Sequence, residues 1–187
     1  MLQYRPVERR DFEVICSFPQ SEEELFYFYP KARYPLTVHQ LQEAVEQRAD
    51  SIVVERDGKV VGFANFYRWD GGICCIGNLV VAPKARGQGV AQYIVRTMVG
   101  LARSKHSATE VRISCFNSNT AGLLLYAGLG FVPFAVEERR GPEGARIGLI
   151  HMRHQDAPTH PNATTPELIT CRPELEKQVS KKRMNCD

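Results

Sequence analysis

A glycine-containing turn is the first feature of this sequence that suggests chemistry. In LVVAPKARGQGVAQYIVRTMVGLARSK, residues 79–105, it stands between a strand-like run and an amphipathic run. Gly87 and Gly89 allow a sharp turn and remove side chains that would block a ligand. The first amides of the helix that follows have no intrahelical acceptors and lie at the positive end of its dipole. The turn therefore predicts a phosphate-bearing ligand held by backbone amides.

Two common phosphate motifs do not match this turn. A P-loop requires a Lys and a Ser or Thr directly after its last glycine, and no such pair is present here. A dinucleotide fingerprint requires a third glycine, which GQGVAQ lacks. The alternative that the residues alone leave open is a surface turn or glycine cap without a ligand.

A second polar and glycine-containing segment follows the next strand-like run. In NSNTAGLLLYAGLGFVPF, residues 117–134, Asn119 precedes Tyr126 by seven residues, and Gly130 and Phe131 come after it. Together with the turn, this segment resembles the GNAT superfamily of acetyl-CoA-dependent N-acetyltransferases over roughly residues 2–153.

Both motifs of that family are recognisable. The motif R/Q-x-x-G-x-G/A is matched by Arg86, Gly89 and Ala91. The motif N-x-x-A-x-x-x-Y-x-x-x-G-F is matched with one departure, a glycine in place of the usual alanine, at Asn119, Gly122, Tyr126, Gly130 and Phe131.

The resemblance implies acetyl-CoA as cofactor and a site made mostly of backbone. The pantetheine arm would pair with an exposed strand edge at Leu79, Val80 and Val81. The pyrophosphate would lie on the turn and first helical residues, namely Arg86, Gly87, Gln88, Gly89, Val90, Ala91 and Gln92. Asn119 would contact the pantetheine or cap its own helix.

The implied reaction is direct attack of an amine on the thioester. Tyr126 matches the family's tyrosine and would protonate the departing thiolate as a general acid. Because of its place in the motif, Tyr126 would also contact the cofactor. A strand N–H would stabilise the developing oxyanion. The alternative for Tyr126 is a half-buried aromatic of its helix.

The general base is not apparent. Where some family members carry a Glu, this chain has Asn78 on one strand and Ser114 on the next. We expect Asn78 to orient substrate or water. Other carboxylates and one imidazole remain unranked candidates for the base: Glu22, Glu23, Glu24, His39, Asp70 and Glu137.

Aromatic residues suggest where the acceptor amine binds. ELFYFYPKARYP places five aromatics in ten positions, and Tyr67 ends a later strand-like run. The residues predicted to meet the acceptor are Phe28, Tyr29, Tyr67 and Asn78. Core packing at helical spacing is the alternative for the first two.

The sequence pattern predicts the elements that position these residues. In chain order they are a strand, two or three helices, a β-hairpin that turns at Asp57-Gly58, and then β, α, β, α, β, β. This order predicts an α/β (α+β) fold. The resemblance specifies a mixed, mostly antiparallel twisted sheet of six to seven strands, with helices on both faces and a splayed parallel central pair. The domain is assigned to residues 1–154, and 155–187 to a tail with a short helix in PELEKQVSKKRM.

Composition narrows the function classes. The chain has 187 residues and a net charge of +3, which suggests one domain and does not favour nucleic acid. No apolar run is long enough for a membrane span, and the N-terminus lacks the pattern of a signal peptide. The six cysteines form no CxxC, so neither a disulfide framework nor a metal site is expected, and a cytoplasmic location is favoured.

The leading hypothesis is an N-acetyltransferase acting on a small-molecule amine. The runner-up within the enzyme class is N-terminal or lysine acetylation of a protein. A non-catalytic acyl-CoA sensor is the alternative from another class, since the strand carboxylates are missing. A homodimer is left open.

Overall fold

The computed structural model describes residues 1–155. The predicted tail lies outside the described residues from position 156 onward, and so does its predicted helix. The domain boundary at 154 therefore stays a prediction.

Five α-helices and seven strands make up residues 1–155. The helices are α1 Phe12–Cys16, α2 Glu22–Phe28, α3 Val38–Glu46, α4 Val90–His106 and α5 Thr120–Gly128. The strands are β1 Leu2–Pro6, β2 Ala49–Arg56, β3 Lys59–Arg68, β4 Ile73–Val81, β5 Glu110–Phe116, β6 Phe131–Arg140 and β7 Arg146–His154. No helix in this part of the chain is both long and apolar enough to cross a bilayer.

The strands form one mixed sheet in the order β1-β2-β3-β4-β5-β7-β6. All neighbours are antiparallel except β4 and β5, which are parallel. These two strands pair only from Ile73↔Glu110 to Ile76↔Ile113. Beyond Ile76 the β5-facing edge of β4 has no strand partner among the described residues. The predicted fold class is confirmed, including the splayed parallel pair.

Two layers of side chains cover the sheet. On one face, α4 buries Val90, Ile94 and Met98 against the central strands. On the other face, α1 to α3 pack on Val53, Phe63 and other strand residues. The sheet is therefore sandwiched, and the gap between β4 and β5 is bordered on each face by a different helical layer.

Gly62 of β3 fixes how closely α4 approaches. A Cβ at this position would lie 2.6 Å from Ile94 Cδ1 and 3.2 Å from Val90 Cγ1, both in the first two turns of α4. Any side chain would push the start of the helix away from the sheet, because neither neighbour has room to move. Gly62 thus helps to position the turn before α4.

A β-bulge in β4 separates the two halves of that strand. β3 pairs Phe63 with Val80 and Asn65 with Gly77, so β4 carries one extra residue between these pairs. Asn78 lies in the bulge with φ of 46°, a left-handed conformation that Asn tolerates better than most residues.

Gly77 of β4 borders the bulge and also permits a close approach of two side chains. A Cβ there would lie 2.8 Å from Tyr67 Cδ1 and 3.0 Å from an Arg48 guanidinium nitrogen. The missing side chain lets both groups lie against the strand.

Candidate active site

A cavity of about 860 Å³ lies where β4 and β5 separate. Its walls include β4 from Ile76 to Val81, β5 from Ile113 to Phe116, and aromatic residues of α2. Tyr126 of α5 and His151 of β7 also line it. The splayed strands therefore open into a space large enough for a substantial ligand.

The turn before α4 has the geometry of an anion cradle. Gly87 and Gly89 adopt φ of 71° and 79°, and nothing lies within 4 Å of a Cβ built at either position. The six amides from Gly87 to Gln92 donate no hydrogen bond to any protein acceptor in the described part of the chain. Consecutive free amides at a helix start favour an anion.

The Arg86 side chain does not add its charge to this cradle. Its guanidinium donates two hydrogen bonds to Glu24, at 2.7 and 2.9 Å, and one to the Phe18 carbonyl. These bonds lower the pKa of the Glu24 carboxyl below its usual value. The Ser21 hydroxyl caps α2 and accepts from the Glu24 amide. Arg86 thus ties α2 to the turn, and its contact with a cofactor stays a prediction.

Other side chains of the turn are also occupied by the protein. The Gln88 carboxamide bonds to Arg56 and to the Lys84 carbonyl. Val90 is buried beneath the turn, while Gln92 is exposed. The backbone amides of the turn and the exposed Gln92 side chain are therefore available for the predicted cofactor binding.

Asn119 caps α5. Its side-chain oxygen accepts from the Gly122 amide at 3.0 Å, and the residue also lines the cavity. A Cβ on Gly122 would lie 2.9 Å from both Cys115 Sγ and the Asn119 side-chain nitrogen. This crowding explains the glycine that stands in the alanine position of the motif.

Tyr126 lies at the cavity wall, 7% exposed, with its ring edge-on to Phe131. Its hydroxyl has no hydrogen-bond partner among the described residues. Burial raises the pKa of the Tyr126 phenol well above its usual value. The group therefore stays protonated and suits a proton donor better than a base.

A chain of polar groups follows the cavity from β3 to β6. The Tyr67 and Ser114 hydroxyl oxygens are 3.5 Å apart, and Ser114 Oγ lies 2.9 Å from His151 Nδ1. His151 Nε2 lies 3.3 Å from a Glu137 carboxylate oxygen, so that nitrogen carries the proton. Nδ1 is then an acceptor for the Ser114 hydroxyl.

Sequence reasoning missed His151, although a signal existed. His151 is the register partner of Ser114 in the β5–β7 ladder, so a correct pairing of these strands would have placed the two together. Of the six predicted bases, Glu137 alone contacts this polar chain. Glu24 is held by Arg86, Glu23 accepts from Tyr27, and the remaining three do not line the cavity: Glu22, His39 and Asp70.

The aromatic residues of α2 divide between core and cavity. Phe28 is 3% exposed and packs edge-on against Phe63, so it belongs mainly to the core although it touches the cavity wall. Tyr29 and Tyr67 line the cavity on either side of Arg48. Asn78 is 5% exposed at the bulge and also lines the cavity. No sequence motif indicates that Arg48 lies at the cavity, because it comes next to Tyr29 and Tyr67 only when the sheet has formed.

Comparison with known proteins places the chain among acetyltransferases. Residues 14–131 match the Acetyltransferase (GNAT) family. Among solved structures, the ribosomal-protein-alanine N-acetyltransferase from Brucella melitensis is similar with a TM-score of 0.68 and 20% identity, covering 81% of this chain and 98% of that one. A spermidine N-acetyltransferase chimera from Vibrio cholerae and hSSAT has a TM-score of 0.69 and 17% identity, covering 82% and 94%.

A third similar structure was solved with its cofactor acetyl-CoA. It is yncA from Salmonella typhimurium, with a TM-score of 0.65 and 20% identity, covering 88% of this chain and 99% of that one. At these identities the structural likeness establishes the fold.

Replacing Gly89 with Val tests the cradle. Because Gly89 has φ of 79°, a β-branched residue distorts the turn and misdirects its amides. Calorimetry should show CoA affinity reduced at least about tenfold, the value of one lost charge-assisted hydrogen bond. Gly100→Val, on an open position of α4, is the matched control and should leave affinity unchanged. Equal affinity in both variants would contradict the assignment of the turn.

Proposed function

The chain belongs to the GNAT family of acetyltransferases, and we propose that it transfers the acetyl group of acetyl-CoA to the amine of a small molecule. The family match spans residues 14–131, well over half of the chain. The observation that carries the proposal is a single cavity bordered by the unpaired edge of β4 and by the Tyr126 phenol, with the free amides of the turn following β4.

Acetyl-CoA is the cofactor of this family, and the described residues fit it. The open edge at Leu79–Val81 offers backbone groups to the pantetheine amides, and the free amides from Gly87 to Gln92 offer donors to the pyrophosphate. The glycines of the turn leave open space where the phosphates would approach. When bound, acetyl-CoA supplies an activated thioester carbonyl and a thiolate leaving group.

Tyr126 is proposed to supply the proton that a departing thiolate requires. Its buried hydroxyl is protonated and has no competing protein acceptor in the described residues. The cap at Asn119 and the contact with Phe131 hold α5 and therefore the ring in place. A proton donor that is already held in position lowers the barrier to proton transfer, because its side chain does not have to move during the reaction.

Ser114 and His151 are proposed to take up the proton that an attacking amine loses. The Ser114 hydroxyl passes its own proton to His151 Nδ1 and receives one from the amine. The Glu137 carboxylate accepts a hydrogen bond from the Nε2–H group of the ring, which keeps its proton, and stabilises the imidazolium that forms. This arrangement replaces the strand carboxylate that the sequence lacks, which argues against a non-catalytic sensor.

A small acceptor is favoured over a protein by the enclosure of the site. The aromatic residues of α2 stand on one side of the cavity, with Phe26 stacked on Phe116 at 4.5 Å. Residues of the β6–β7 hairpin stand on another side, among them Arg139 and His151. A free small molecule reaches a space between these walls more readily than a group on a folded protein surface.

The proposal is tested by incubating the protein with acetyl-CoA and pooled amines while free thiol is measured. Amine-dependent thiol release is expected, with the acetylated product identified by mass spectrometry. Tyr126→Phe should lower turnover roughly 10²-fold, as loss of a general acid does, with CoA affinity nearly intact. Thiol release only with peptides would favour a protein acceptor. CoA binding without release from any amine or peptide would overturn the enzyme proposal.

His151→Ala tests the proton acceptor separately. We expect turnover to fall about 10²-fold with unchanged CoA affinity, and added imidazole to restore part of it. His39→Ala is the matched control, since His39 lies exposed on α3, pairs with Glu43 and does not line the cavity. Full activity of the His151 variant would remove the imidazole from the mechanism.

A further inference from the structure

Arg48 is a charged group in the cavity without an acidic partner. It follows α3 and lies half-buried against the sheet. One guanidinium nitrogen donates to the Asn65 side-chain oxygen at 3.2 Å, and the group faces the rings of Tyr29 and Tyr67 at 5.6 and 5.9 Å. No carboxylate in the described part of the chain comes within ion-pair distance.

This lack of an acidic partner is unusual for an arginine that is half-buried in a cavity wall. The guanidinium keeps its charge at all ordinary pH values and offers five donors, of which one is used here in a hydrogen bond to protein. Burial lowers its pKa, which reflects the cost of leaving the cation poorly solvated. An anion from outside the described residues would relieve that cost.

Two buried amides point to the same chemistry. Asn65 and Asn78 are 0% and 5% exposed, and the side-chain nitrogen of each has no hydrogen-bond partner. Asn78 lines the cavity at the bulge, next to Gly77, and the missing side chain of Gly77 admits Arg48 to the strand. Arg48 and Asn78 line the same cavity, and a planar guanidinium and an amide N–H₂ both provide directed donors for a carboxylate.

The charge of the cavity wall agrees with an anionic ligand. Its basic residues outnumber its acidic ones, and they are Lys31, Arg48, Arg86, Arg139 and Arg140, against Glu23 and Glu24. Glu24 is neutralised by Arg86. A polyamine or a lysine-rich peptide would meet net repulsion here.

We propose that Arg48 and Asn78 bind a carboxylate of the acceptor, so that the acceptor is an amino acid or another small amine that carries a carboxylate. The substrate assignment rests on the proposed acetyl transfer. Tyr67 connects the two parts of the acceptor site, with its hydroxyl near Ser114 and its ring facing Arg48. One compact molecule can therefore place its carboxylate on Arg48 and its amine near the Ser114–His151 pair.

The first measurement is binding, which does not depend on turnover. Saturation-transfer NMR of the CoA-loaded protein with a pool of proteinogenic amino acids, β-alanine and γ-aminobutyrate should identify a carboxylate-bearing binder. Its carboxamide and its decarboxylated amine should bind at least about tenfold more weakly, the effect of one charge-assisted hydrogen bond. Arg48→Gln should remove this preference without changing CoA affinity. Lys31→Gln, a matched loss of positive charge at the cavity wall, should retain it.

The second measurement is thiol release with the same matched compounds. We expect kcat/KM for the acid to exceed that of its carboxamide about tenfold in the wild type and to become similar in Arg48→Gln. Arg48→Lys, which keeps the charge and loses the planar fork, should be intermediate.

The outcomes separate the two proposals. Arg48-dependent binding of carboxylates without thiol release would support the carboxylate site and overturn acetyl transfer to that ligand. Acetylation of acids and carboxamides at equal rates would support the enzyme and overturn the carboxylate site. Absence of binding by every carboxylate-bearing amine in the pool would also overturn it.

Discussion

The separation of β4 from β5 beyond Ile76 is the constraint on which the rest of the site depends. Parallel pairing holds the two strands together only as far as the Ile76–Ile113 pair. At that point the bulge at Asn78 redirects β4, while β3 continues to pair with its other edge. The result is a strand that is anchored on one side and free to hydrogen-bond a ligand on the other.

Backbone groups and side chains line different parts of this gap. The phosphate end depends on bare amides, so the turn tolerates side chains that bond elsewhere, such as Arg86 with Glu24. The proposed acceptor site is made of side chains instead, with the Ser114–His151 pair on β5 and β7 and with Tyr67 in contact with both Ser114 and Arg48.

The features predicted from sequence were local ones. The hairpin at Asp57-Gly58 and the glycines of the turn follow from backbone conformation, and both have positive φ in the structure. The pairings of Arg86 with Glu24 and Ser114 with His151 join residues far apart in the chain. The second pairing follows from the register of β5 and β7, which local sequence patterns do not fix. Arg48 shows the limit most clearly, since its neighbours come from the end of α2 (Tyr29) and from β3 (Asn65 and Tyr67), both distant from it in the chain.

Hydrogen exchange is the most direct measurement of the central claim, that the open edge of β4 and the following turn hold acetyl-CoA. Peptides covering residues 79–92 should exchange more slowly when CoA is added, because free amides there gain acceptors. Peptides from the β2–β3 hairpin loop, around Asp57, should be unaffected. Unchanged exchange over 79–92 at saturating CoA would contradict the account.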